Sequence, residues 1–100
     1  MLFHITAQHD HTTCGFVTHG KETLKSRGVW VEGNDKVKVL GAWGYQTSHT
    51  LFGIVEADAY EDIAEHFEYH LGLGPVEVLP IMDMVQRRKD LGFWGQSKGI

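Results

Sequence analysis

The chain has 100 residues, of which 42% are hydrophobic and 22% charged, the balance of one soluble domain with a small core. A net charge of −4 leaves no basic excess to neutralise phosphates, which argues against nucleic acid as a partner. No apolar run is long enough to cross a bilayer, and "MLFHITAQHD" lacks the basic and apolar regions of a signal peptide. The single cysteine excludes an internal disulfide and predicts a cytoplasmic protein.

Leu2 to Ala7 alternates, with Phe3, Ile5 and Ala7 on one face and Leu2, His4 and Thr6 on the other, which is strand patterning. Thr12 to Arg27 is polar and weakly helical and closes at Gly28; Gly15 and Gly20 weaken its first half. "VWVEGNDKVKV" predicts a small hairpin turning at Gly33-Asn34. Val37 to Tyr45 and Leu51 to Ala57 form a larger hairpin joined by "QTSH". A second helix starts at Asp58, with Glu61 completing a capping box. Its apolar stripe is Tyr60, Ile63, Ala64, Phe67 and Leu71, and Gly72, Gly74 and Pro75 end it. Val76 to Met84 is a last strand.

The order β-α-β-β-α-β predicts an α+β, ferredoxin-like fold. Right-handed crossovers give a four-stranded antiparallel sheet with two helices on one face. Both sheet faces carry apolar residues, so the helix-free face is expected to pack against a second copy, making a homodimer. Residues 1–85 are the domain. Residues 86–100 are a basic tail with Phe93 and Trp94, which packs on the domain or on its dimer partner.

The opening "MLFHIT", "LGAWG" on the second strand, "LFGIVEADAYEDI" from third strand into second helix, and "VEVLPIMDM" on the last strand resemble the dimeric α/β-barrel superfamily of ferredoxin-like proteins. Within it the chain is similar to a small bacterial family with no assigned function. The superfamily includes cofactor-free monooxygenases, muconolactone-isomerase-like enzymes and haem enzymes, so the resemblance implies a fold and not an activity.

Three functions follow. The first is a small dimeric protein binding a small organic ligand in an apolar pocket that contains Trp43, Tyr45 and Phe52. The second is a monooxygenase- or isomerase-like enzyme with His4 and Glu56 as base and acid, since histidine titrates near neutrality and burial raises a carboxylate pKa. The third is a protein binding zinc or another transition metal. The stretch "QHDHTTCG" holds His9, His11 and Cys14, and the topology brings His49, His66 and His70 to the same end of the sheet. The competing account is a solvated polar rim with Cys14 packed as a small apolar residue.

Overall fold

A computed structural model describes residues 1–97. Strands β1 (Leu2–Gln8), β2 (Lys38–Tyr45), β3 (Thr50–Glu56) and β4 (Val76–Ile81) form one sheet in the order β2-β3-β1-β4. Every neighbouring pair is antiparallel. The helices are α1 (Gly15–His19), α2 (Thr23–Arg27), α3 (Tyr60–His66), α4 (Glu68–Leu71) and α5 (Met84–Asp90). This is the α+β, ferredoxin-like order read from the sequence.

The core lies on the helix-covered face. Phe3, Ile5 and Ala7 of β1 alternate with half-buried Leu2, His4 and Thr6. Phe3 and Ile5 join Val55 and Ala57 from the end of β3, Ile63 of α3 and Phe67 just after it, and Trp30 and Val37. Trp30 lies 5.4 Å from the Phe67 ring, and a Cβ on Gly53 would come within 3.1 Å of its indole. The glycine lets β3 run directly beneath the tryptophan.

Several local elements differ from expectation. Residues Gly28–Glu32 form a 3-10 helix in place of the first arm of a small hairpin. Burial of Trp30 decides this, because a strand there would carry the indole away from the core. Gly33 adopts φ 72°, and the Asn34 side chain accepts from the Lys36 and Val37 amides at 2.7 and 2.8 Å, so the turn at Gly33-Asn34 does exist. The first helical region is split at Gly20, with φ 77°. The capping box at Asp58 does not form: Ala59 is the N-cap residue and makes no side-chain cap bond. Tyr60 and Leu71 of the expected stripe are exposed, leaving Ile63 and Phe67 to fill the core. The last strand stops at Ile81, where Asp83 caps α5 by accepting from the Gln86 amide at 2.9 Å.

Among the described residues no helix covers the opposite sheet face. The register places Leu2 and His4 of β1 beside Ile54 and Phe52 of β3, Trp43 of β2, and Leu79 and Ile81 of β4. Trp43 and Tyr45 are each 59% exposed there, a large apolar area for a chain of this size.

Candidate metal centre

β1 and β2 finish at one end of the sheet, here called the top. Three segments meet there. His9 leaves the end of β1, and its amide donates to the His49 carbonyl at 3.1 Å, tying β1 to the β2–β3 turn. His49 closes that turn with φ 55° and ψ 40°, the only non-glycine residue at positive φ among the described residues. A β-carbon disfavours this conformation, so the turn stores strain at a histidine.

Asp10 then reverses the chain. Its Oδ1 accepts from the Thr12 and Thr13 amides at 2.8 and 3.0 Å, and its carbonyl accepts from the Cys14 amide at 3.1 Å. This Asx-type turn brings Cys14 back beside His9. Hydrogen bonds from the Thr12 side chain and then the Thr12 and Thr13 amides hold the Asp10 carboxyl below its usual range, so it stays ionised.

The result is convergence. One ligand atom from each of His9, Cys14 and His49 lies within 4.8 Å of the other two. The ligand atoms of a tetrahedral zinc site with bonds of 2.0–2.3 Å stand about 3.4–3.7 Å apart, so closure needs side-chain movement of roughly 1 Å. Cys14 is buried. His9 Nε2 is buried and has no hydrogen-bond partner among the described residues. Such an atom has lost water without recompense, and a metal would supply the missing partner.

His70 reaches the same end from α4. It is 9% exposed, and its Nδ1 is likewise buried with no partner among the described residues. Burial, then the nearby His9 and His66, lower its pKa to about 4. Burial first, then His49, also lowers His9, opposed by the Asp10 carboxylate. Both imidazoles are therefore neutral near pH 7, the form that ligates metals. His11 is exposed, with its ring 5.5 Å from that of His49.

His66 is engaged elsewhere. Its Nε2 donates to the Trp30 carbonyl at 2.9 Å and its Nδ1 accepts from the Asn34 side-chain Nδ2 at 3.1 Å, so both ring nitrogens serve the segment before β2. Of the expected ligand set, His9 and Cys14 converge, His11 and His70 flank them, and His66 stands apart. The supporting role of Asp10 was readable only as a turn signal, in the run Asp10-His11-Thr12-Thr13.

The residues of the other two readings lie on the helix-free face. His4 is half-buried, 6.3 Å from the Phe52 ring, and Trp43 pairs directly with Phe52. Glu56 shares the face at the opposite, lower end, where it pairs with Leu2, two residue pairs along the ladder from His4–Ile54. No hydrogen bond joins the two among the described residues. Glu56 instead borders a rim groove of about 300 Å³ with Asp35, Asp58 and Asp62.

No helix among the described residues is long and apolar enough to cross a membrane. None of the curated proteins matches this chain. Residues 1–91 match the family described as a domain of unknown function, DUF3303, and the chain belongs to that family.

Proposed function

We propose that this protein binds a transition metal through His9, Cys14 and His49. The observation that carries the reading is the convergence of these three ligand atoms, contributed by a strand end, a reversing turn and a hairpin. Two imidazoles and a thiolate form a borderline-soft set that suits zinc among the abundant divalent ions. When bound, the ion supplies Lewis acidity, and a three-residue set leaves one position for an outside ligand. The protein's own contribution is geometric: the Asp10 turn brings Cys14 back, the His9–His49 backbone bond ties together the two segments that carry the rings, and burial lowers the His9 pKa so that the ring is neutral. His11 and His70 stand nearest as supporting residues. Metal content of untagged protein, measured by elemental mass spectrometry, tests this. Near-stoichiometric metal in the wild type and in His66→Ala, with loss in Cys14→Ser, is expected. A wild-type protein that is empty and takes up neither added zinc nor cobalt refutes it.

A second reading is favoured by the helix-free sheet face. Its exposed Trp43, Tyr45, Leu79 and Ile81 suit burial against a second copy of the same face. The two faces would enclose a small organic ligand between the Trp43, Tyr45 and Phe52 rings, with His4 and Glu56 available for proton transfer. The two readings are compatible, since the metal ligands sit at the top and the aromatic rings on the face. A single unpaired cysteine suits a cytoplasmic setting for both.

A further inference from the structure

We infer that residues Met82–Ser97 form an arm that clasps a second copy of this chain, an inference that rests on the homodimer reading above. Among the described residues, the side-chain hydrogen bonds of the arm all stay within the arm. Every residue from Leu79 to Ser97 is exposed, and the molecule extends 57 Å along one axis against 29 and 20 Å along the others. Its radius of gyration is 16.7 Å, against about 13 Å for a compact domain of this length.

The arm is nevertheless ordered within itself. Asp83 caps α5, and Gln86 Nε2 donates to Asp90 Oδ1 at 2.9 Å. Gly92 at φ 78° ends the helix. The chain then doubles back: Arg88 donates to the Gln96 carbonyl, and the Lys89 ammonium sits 4.8 Å from the centre of the Trp94 ring. A helix of seven residues does not hold itself in water. Met82, Met84, Val85, Leu91, Phe93 and Trp94 are each more than half exposed. A preformed, apolar element of this kind requires a surface.

Charge identifies that surface. Residues 1–81 carry eleven acids against five bases, whereas residues 82–100 carry two acids against four bases. The acidic body concentrates Asp35, Glu56, Asp58 and Asp62 around the lower rim groove, beside Lys36 and Lys38. The arm leaves the sheet at that same end, because Leu2 pairs with both Ile81 and Glu56. In a twofold pair, Arg87, Arg88 and Lys89 of one protomer lie along the acidic rim of its partner, while Leu91, Phe93 and Trp94 cover apolar surface. Both halves of the contact are carried by one sequence, as an isologous interface requires.

The test uses full-length protein. Light scattering against concentration is run on the wild type, on Phe93→Glu/Trp94→Glu and on Arg87→Glu/Arg88→Glu. The wild type is expected at twice the chain mass of 11.3 kDa. Each arm variant is expected to weaken the dimer at least about tenfold. Adding Asp58→Arg/Asp62→Arg to the Arg87→Glu/Arg88→Glu protein should restore it. Mixed heavy- and light-isotope protomers give a second measurement: crosslinks from Lys89 to Lys36 or Lys38 should join heavy to light chains. Dimers unaffected by the arm variants, or arm crosslinks confined to single chains, overturn the arm while leaving the sheet-face dimer standing. A monomeric wild type overturns both. So does a monomer whose arm binds anionic phosphatidylserine vesicles, which would make the arm a membrane contact.

Discussion

Replacing His49 separates the strain of the turn from its ligand role. His49 sits at φ 55°, where an L-residue with a β-carbon costs about 1–2 kcal/mol relative to the right-handed region. His49→Ala keeps that cost and loses the ring contacts to His9 and His11 at 5.1 and 5.5 Å. His49→Gly loses the same contacts but releases the strain, offset by roughly 0.5–1 kcal/mol of extra unfolded-chain entropy. The glycine variant is therefore expected to be more stable than the alanine variant by about 0.5–1 kcal/mol in metal-free protein. Urea unfolding with a chelator present measures this. Repeating it with zinc at a hundred times the dissociation constant should raise wild-type stability by about 2.7 kcal/mol and leave both variants unchanged. An alanine variant as stable as the glycine variant would show that the turn is unstrained. A zinc response in either variant would remove His49 from the ligand set.

Two further outcomes follow from the same end of the molecule. A Cβ on Gly74 would overlap the Gln8 carbonyl oxygen and come within 3.2 Å of the His9 Cα, all backbone, so Gly74→Ala must displace the strand end that carries His9. It should cost about 3 kcal/mol in urea unfolding and weaken zinc binding; a variant within about 0.5 kcal/mol of wild type would contradict the packing described. His70 gives a pH dependence to the metal-free protein, since its pKa falls from 6.5 when unfolded to about 4 when folded. The unfolded chain takes up the proton first, so stability is complete above pH 6.5 and declines as the pH drops towards 4. After allowance for solvent screening the loss is about 1–2 kcal/mol, and His70→Leu should flatten that part of the profile. An unchanged slope in that variant would place the titration elsewhere.

Strand order and the gathering of residues at the top were legible because they depend on few decisions. Alternation in β1, the β2–β3 hairpin and right-handed crossovers set the topology. Direction along the strands then places His9 and His49 at one end, and the second helical region, running back along the sheet, brings His70 there. Finer features depended on which side chain won a contest for the core. Trp30 pulled its segment into a 3-10 helix although its β-rich composition reads as strand. Asp58 has the composition of a cap, but the chain enters α3 one residue later, at Ala59. His66 and His70 look equivalent as neighbours on one helix row. They part because the helix breaks at Phe67, which turns His66 to the Trp30 carbonyl and leaves His70 buried at the top. Such a break depends on tertiary packing, which no local pattern announces. The arm was legible as a basic tail with two aromatic residues. Its helix was missed, because the apolar run from Val76 through Met84 reads as one continuous strand.

X-ray absorption at the metal edge of the zinc-loaded, untagged protein shows whether these residues hold the ion, because it counts the atoms around it. Convergence of His9, Cys14 and His49 predicts one sulfur at about 2.3 Å and imidazole nitrogens at about 2.0–2.1 Å, with the sulfur lost in Cys14→Ser. A shell of oxygen and nitrogen without sulfur in the wild type, or a spectrum unchanged by Cys14→Ser, would contradict the site.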